Sequence, residues 1–111
     1  MPFAVTAIDL AGRMLFVNAA FCQLVGRDEA ELVGRLPPYP HWPPEESTIL
    51  QQRLSRLLQG DFEPDGFVAS FCHRDGGRFQ VRVRVQPIDD KSGQFTGWLA
   101  TIDDLRSLAE A

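Results

Sequence analysis

The sequence predicts an α+β fold, in which helices cover the apolar face of antiparallel strands. The clearest evidence is Arg78–Ile88, where apolar and polar residues alternate with the period of two that is typical of a strand with one buried face. Strands are also predicted at Phe67–Arg74 and Phe95–Ile102, and the segments that join the three are rich in Asp and Gly. Because such a meander is unstable alone in water, the rest of the chain must cover its apolar face.

The N-terminal part of the chain predicts a hairpin followed by two short helices. Phe3–Asp9 and Met14–Val17 have strand-like patterns and are separated by a glycine-containing turn. Asn18 is a favourable N-cap for a helix over Ala19–Val25. A second short helix is predicted over Asp28–Val33, where Asp and Glu three residues apart form a capping box. Helices this short depend on packing against the sheet.

A longer helix follows a proline-rich crossover. Arg35–Pro44 contains five prolines with Tyr, His and Trp between them, which predicts an extended and stiff segment. Glu45–Gln59 then has leucines at helical spacing, so we expect a helix whose apolar side covers the meander. The leucines of that side are Leu50, Leu54, Leu57 and Leu58.

Length and composition limit the classes of protein that fit. A chain of 111 residues suits one domain, and the net charge of −4 argues against nucleic-acid binding. No apolar run is long enough to cross a membrane, so neither membrane insertion nor a secretory route is predicted, and we expect a cytoplasmic protein. Cys22 and Cys72 lack the spacing of a zinc site, and no metal is expected.

No catalytic constellation is present in the sequence, and we expect no enzyme activity. The paired acids Asp89-Asp90 and Asp103-Asp104 lie at strand ends without a histidine partner. His41 and His73 are predicted to be capped or solvated side chains. A small α+β enzyme with a cone-like cavity is the remote alternative, and it would require buried polar residues where this pattern places apolar ones.

The space between the long helix and the meander is the candidate binding site. If the facing side chains interdigitate fully, the domain acts through its surfaces. If they do not, the gap would suit an apolar small molecule. The predicted lining residues are Trp42, Leu50, Leu54, Leu58, Phe71, Phe79, Val83 and Trp98. On the opposite face of the central strand, Gln80, Arg82 and Arg84 form a row that a partner could contact.

Several local motifs, in their order along the chain, are similar to those of PAS domains. Asp9-Leu10-Ala11-Gly12-Arg13 and Phe16-Val17-Asn18-Ala19 resemble the first hairpin and helix of that family. Leu24-Val25-Gly26 and Leu32-Val33-Gly34 resemble its short helix ends, and Arg74-Asp75-Gly76 resembles its central hairpin. Asp104-Leu105-Arg106 lies where PAS domains commonly have Asp-Ile-Thr, with Arg in place of Thr. The resemblance covers essentially the whole chain.

This resemblance implies an α+β fold with a PAS-like five-stranded antiparallel sheet and helices packed on one face. It also implies a sensory or regulatory module of a larger bacterial signalling protein. Residues 1–104 would form the PAS domain, and residues 105–111 would begin an output helix, with Asp104 and Leu105 transmitting the signal. The partners implied are an attached effector of phosphatase or kinase type and a second copy in a homodimer. The alternative within the same fold is a ligand-free module for dimerisation or protein interaction.

The resemblance also bears on cofactors and ligands. No histidine lies in the long helix, where haem-binding PAS domains usually place one, and neither cysteine has the context of the flavin-binding photosensors. Neither haem nor flavin is therefore expected. The segment Trp42-Pro43-Pro44-Glu45 is similar to a motif in PAS domains of bacterial regulatory phosphatases, some of which are associated with fatty-acyl ligands. This implies an apolar ligand such as a fatty acid.

Overall fold

The predicted five-stranded antiparallel sheet is confirmed by the computed structural model, which describes residues 3–106. The strands lie in the order β2-β1-β5-β4-β3, so the N-terminal hairpin joins the meander along β5. Their bounds are Ala4–Asp9 (β1), Met14–Val17 (β2), Phe67–Cys72 (β3), Arg78–Asp89 (β4) and Phe95–Asp104 (β5). Residues 105 and 106 of the expected output helix are described, whereas residues 107–111 lie outside the described part.

The contact between β1 and β5 depends on a glycine. Gly97 pairs with Asp9, and a Cβ atom at position 97 would collide with the backbone carbonyl oxygen of Ile8. The backbone of β1 therefore excludes a side chain at position 97.

Between residues 3 and 104, the structure has α-helices at Ala19–Val25 (α1), Glu29–Leu32 (α2) and Ser47–Leu58 (α3). Asn18 caps α1 as predicted, since its Oδ1 accepts a hydrogen bond from the Phe21 N–H at 2.9 Å. The same oxygen accepts from the Val5 N–H at 3.0 Å, so the cap also ties α1 to β1. In the capping box of α2, the Glu31 carboxylate accepts from the Asp28 N–H at 3.2 Å.

The start of α3 differs from the prediction by two residues. Pro44–Glu46 forms a turn of 3₁₀ helix, and the α-helix proper begins at Ser47. This fits the tendency of proline to occupy the first turn of a helix.

The helices cover one face of the sheet, and the core lies between the two layers. Leu50 and Leu57 of α3 are buried and Leu54 is half-buried, whereas Ile49 is exposed. Along β4 the predicted alternation holds, with Phe79, Val81 and Val83 buried. Side chains that are essentially removed from water include those of Val17, Phe21, Val25, Leu32, Pro43 and Val81.

Candidate ligand-binding cavity

A cavity of about 90 Å³ lies between α3, the proline-rich segment and the inner face of the sheet. The core is therefore not completely filled here, whereas the sequence left open whether the facing side chains fill this space or leave a gap. The walls are mostly aliphatic and aromatic. Their polar or charged members are Thr6, Tyr39, His41, Trp42, Trp98 and Arg53.

Six of the eight residues predicted to line a pocket do line this cavity. They are Trp42, Leu50, Leu54, Phe71, Val83 and Trp98. Leu58 and Phe79 do not, and their predicted placement was wrong. Leu57 takes the inward position on α3, since neighbouring helix residues point about 100° apart. Phe79 is buried at the start of β4, where its ring meets Phe71 edge to face with the ring centres 6.4 Å apart.

The proline-rich segment contributes an aromatic cluster to the cavity wall. The His41 ring stacks on Tyr39 at 5.5 Å and meets Phe21 and Phe71 edge to face at 5.0 and 4.7 Å. The His41 backbone carbonyl accepts a hydrogen bond from the Cys72 N–H at 2.7 Å, which fixes this segment against the end of β3. His41 is only 3% exposed, so the expectation of a capped or solvated side chain was wrong.

Burial determines the charge state of the polar groups in this cluster. It lowers the pKa of His41 to about 3, with a smaller contribution from the positive charge of Arg27, so the imidazole is neutral near pH 7. The Tyr39 hydroxyl donates a hydrogen bond to the Gly12 carbonyl oxygen, and burial, with the nearby Asp9 charge, raises the pKa of Tyr39. The cluster is therefore polar but uncharged at neutral pH.

Two ring nitrogens of cavity-lining residues are buried and have no hydrogen-bond partner among the described residues. They are Nδ1 of His41 and Nε1 of Trp98, and each belongs to a side chain that is 3% exposed. Most buried polar groups in proteins have a partner, so each of these atoms requires an explanation. The sequence predicted Trp98 as a lining residue on the apolar face of the meander, whereas it predicted His41 to be capped or solvated.

Aromatic and charged side chains surround the cavity on the side of the loop after α3. Phe62 and Phe95 meet the Trp98 ring edge to face at 5.0 and 5.1 Å. The Arg53 guanidinium lies 4.9 Å from the centre of the Phe67 ring. Its Nη1 is also 4.0 Å from a carboxylate oxygen of Glu63, and both of those side chains are largely exposed to water. The positive charge of Arg53 is therefore paired on the solvent side of the cavity.

The row predicted as a partner-facing surface lies on the outer face of β4, and its cations have partners within the chain. The Arg84 guanidinium forms an ion pair with the Asp103 carboxylate of β5. Arg82 Nη1 lies 3.5 Å from the Asp65 carbonyl oxygen. Gln80 is exposed. The row is therefore less strongly basic than its sequence indicates.

The end of β5 is held against β4 and against its own next residues. The Leu105 N–H donates to the Gln80 carbonyl oxygen at 3.1 Å. The Asp104 carboxylate accepts two hydrogen bonds from the Arg106 guanidinium, at 2.8 and 3.0 Å, which lower the pKa of Asp104. The Arg106 guanidinium in turn lies 4.1 Å from the centre of the Phe79 ring. The segment expected to carry the output thus contacts the sheet directly.

Within residues 3–106, no group of three or more His, Cys, Asp and Glu side chains is placed to hold a metal ion. None of the helices in that range is long and apolar enough to cross a membrane.

Comparison with known proteins identifies the family. The C4-dicarboxylate transport sensor protein DctS of Rhodobacter capsulatus is 39% identical over 107 residues, a match that covers 95% of this chain and 16% of DctS. The PAS domain of a protein from Colwellia psychrerythraea superposes with a TM-score of 0.76 at 19% identity, over 95% of this chain and 87% of that one.

The same fold occurs in a protein of a different kind. The PAS domain of the fruit-fly ELK potassium channel superposes with a TM-score of 0.78 at 15% identity, over 93% of this chain and 86% of that one. At such low identity these two structures bear on the fold alone. The family model described as PAS fold matches residues 1–105. The chain therefore belongs to the PAS family of sensory modules, as its motifs predicted.

Proposed function

We propose that this PAS domain is the sensory module of a larger bacterial signalling protein, in which occupancy of the cavity changes the segment that leaves β5. The observation that carries the proposal is the continuity of β5, which lines the cavity at Trp98 and Ile102 and then leads directly into Asp104 and Leu105. A ligand that alters the packing of α3 against the sheet would therefore act on the same strand that reaches the output. Such coupling requires a ligand that binds two states of the domain differently.

The relative DctS supports attachment to further domains. The chain spans 16% of the length of DctS, which is named as a sensor protein. A PAS module in this setting would sit beside an effector of kinase or phosphatase type. Residues 1–104 would form the sensory unit and residues 105–111 would begin the connection.

The size of the cavity favours a compact ligand over a fatty acid. Pockets for drug-sized ligands typically have volumes of roughly 300–1,000 Å³, whereas this one has about 90 Å³. A long acyl chain would have to displace α3 or the loop after it. We therefore propose a small and mostly apolar ligand.

Native mass spectrometry of the purified chain, followed by denaturation and extraction, tests whether a ligand is present. A stoichiometric small molecule that binds again to the empty protein and raises its melting temperature would support the proposal. Hydrogen exchange then tests the coupling. On binding, we expect the exchange rate of the Leu105 amide, which is bonded to the Gln80 carbonyl, to change.

A variant without space for a ligand provides the matched control. Leu54→Trp would place a larger side chain in the cavity wall and should abolish binding, whereas Ile49→Trp, on the exposed side of the same helix, should not. Binding that leaves the Leu105 amide unchanged would contradict the coupling. Absence of any ligand, together with no response of the intact protein to changes in the cavity, would contradict a ligand-sensing role.

A homodimer is the second candidate role, and an exposed apolar patch favours it. Phe16, Ala7 and Leu99 are register partners across β2, β1 and β5, so they share the outer face of the sheet. Phe16 is 48% exposed and Phe3, near the start of β1, is 64% exposed. Apolar side chains clustered on a surface are typical of an interface. The nearby row of Gln80, Arg82 and Arg84 would lie on the same face.

Sedimentation over a range of concentrations tests this role. We expect Phe16→Glu to weaken association and Ile49→Glu, which changes an exposed apolar residue on the opposite layer, to leave it unchanged. A wild-type chain that remains monomeric at all concentrations would contradict the homodimer.

A further inference from the structure

The rest of the chain covers the two edges of the sheet to different extents. At the β2 edge, the Met14 N–H donates to the Arg35 carbonyl oxygen at 2.9 Å, and the Gly34 N–H donates to the Met14 carbonyl oxygen at 2.7 Å. The other edge is β3. Among the described residues, the backbone bond on its outer side is that of the Cys72 N–H with the His41 carbonyl oxygen, at 2.7 Å. The rest of the β3 edge is uncovered.

The register of β3 determines which of its backbone groups point outward. The Cys72 N–H points away from β4, whereas the His73 N–H donates to the Gly77 carbonyl oxygen across the hairpin at 2.8 Å. Because this direction alternates along an antiparallel strand, the N–H and C=O groups of Val68 and Ser70 also point outward. They have no partner in the part of the chain that the structure describes. Val68 is 41% exposed and Ser70 is half-buried, so solvent reaches this edge.

β3 also lacks the features that usually protect an edge strand. Its sequence, FVASFC, contains neither a charge nor a proline, and its pairing with β4 is regular, without a bulge. Edge strands of natural proteins commonly carry lysine, proline or a bulge, because an open edge pairs readily with another strand. β3 therefore has the properties of a strand that a further strand covers.

Arg82 indicates the chemistry of that further strand. It is the cross-strand partner of Val68, and its Nη1 lies 3.5 Å from the carbonyl oxygen of Asp65, just before β3. The guanidinium thus extends from β4 to the start of the edge strand. Within residues 3–106, Arg82 forms no ion pair with a carboxylate, whereas Arg84 of the same row does. An added strand would lie about 10 Å from β4, a distance that Arg and Glu side chains can span together.

We propose that the β3 edge binds an extended segment of a partner protein, which adds a strand to the sheet and carries an acidic side chain facing Arg82. Val68 and Ser70 each offer one backbone donor and one backbone acceptor to that segment. Main-chain hydrogen bonds of this kind supply affinity, and the side chains of alternate residues supply specificity.

The limits of the site favour such a segment over a second copy of this chain. The Cys72 N–H is already bonded at one end, and at the other end the Gly66 N–H donates to the Glu63 carbonyl oxygen at 2.9 Å. A second copy that paired through its own β3 would bring no acidic side chain, because β3 contains none. The inference depends neither on the cavity nor on its ligand.

A synthetic strand tests the site on the 111-residue chain by nitrogen-15 NMR at low salt. The probe is a blocked heptapeptide with valine at the odd positions, threonine at the second and sixth, and glutamate at the centre. We expect it to shift the amide resonances of Val68 and Ser70 and to slow their hydrogen exchange. Lysine in place of its glutamate should weaken binding by about threefold or more.

N-methylation of the peptide tests for backbone pairing. One form is methylated at the even positions and the other at the odd positions, and the N–H groups of one set alone face β3. One form should therefore lose about tenfold or more in affinity, and the other should lose much less. If the two forms bind alike, the edge pairing is wrong.

Variants of the chain test the two parts of the proposal separately. Arg82→Gln should abolish the preference for glutamate over lysine, whereas Arg84→Gln, which changes an arginine that already has a carboxylate partner, should keep it. Val68→Pro removes an outward N–H at an edge position, where proline is tolerated, and should abolish binding. If Val68→Pro does not fold, the methylated peptides decide the question without any change in the protein.

Three results would overturn the inference. Equal binding of the glutamate and lysine peptides, or an unchanged preference in Arg82→Gln, would contradict the acidic partner. Val68 and Ser70 resonances that change with the concentration of the chain alone would show that a second copy occupies the edge. If no peptide shifts these resonances, the edge does not bind strands.

Discussion

His41 should make the protein less stable as the solution is acidified below pH 6.5. Its pKa is lowered from 6.5 to about 3 in the folded chain, first by burial and second by the positive charge of Arg27. In the unfolded chain the imidazole regains its ordinary pKa, so between pH 6.5 and 3 the unfolded state binds a proton that the native state does not. The full stability is therefore present above pH 6.5, and it is lost progressively as the pH falls towards 3.

The size of the effect follows from the pKa difference. One pKa unit corresponds to about 1.4 kcal/mol, so the titration of His41 removes about 2 kcal/mol of unfolding free energy between pH 7 and pH 5. This interval lies above the ordinary pKa values of Asp and Glu, which limits their contribution. Urea denaturation at pH 7, 6 and 5 measures the change. In His41→Phe, the pH dependence should be smaller than in the wild-type protein by about 2 kcal/mol over the same interval.

The second histidine provides the control. His73 is partly exposed beside the β3–β4 turn, where its Nδ1 lies 3.3 Å from the Asp75 carboxylate. His73→Gln should keep most of the pH dependence of the wild-type protein. The comparison uses the slope against pH, so any change in stability that the substitutions cause at pH 7 does not affect it. If wild-type protein and His41→Phe have equal pH dependence, the buried neutral imidazole is refuted.

Three further predictions concern stability and are checked by denaturation. Asn18→Ala removes the N-cap of α1 and its bond to β1 and should cost about 2 kcal/mol, whereas Asn18→Asp keeps the acceptor and should cost less. Gly97→Ala places a methyl group against a backbone carbonyl and should lower the free energy of unfolding by about 2–3 kcal/mol. Gly93→Ala, at a positive φ of 84° with open space around it, should lower it by about 1 kcal/mol. Equal losses would contradict the close approach of β1 and β5. The Arg78 guanidinium donates hydrogen bonds of 2.7 and 2.9 Å to the Glu45 carboxylate and lowers the pKa of Glu45 to about 2. Both side chains are exposed, so a double-mutant cycle should give a small coupling free energy that falls in about 1 M salt. A large coupling that does not depend on salt would be inconsistent with this.

The regular elements could be predicted from sequence because their periodicity reports burial directly. The alternation along β4 and the caps at Asn18 and Asp28 all have the geometry that their residue types predict. The rotation of α3 could not be derived as well. Leu57 and Leu58 both fit a broad apolar stripe, and contact with the sheet, which no local pattern encodes, decides that Leu57 faces the cavity.

The order of the strands is likewise not a property of any local pattern. Periodicity predicts that β3, β4 and β5 are neighbours, since short connections join them. The placement of β1 beside β5 depends on pairing between residues far apart in the chain, such as Ala4 with Ile102. Only the resemblance to a known family supplied a sheet of all five strands.

The proline-rich segment was the least predictable part. An irregular segment has no repeat from which side-chain direction can be derived, so the burial of His41 was not predicted, although Trp42 was predicted to line the pocket. In the structure Tyr39, His41 and Trp42 are all buried. A backbone restricted by proline loses less entropy on folding, which makes it suitable for holding large rings in one arrangement.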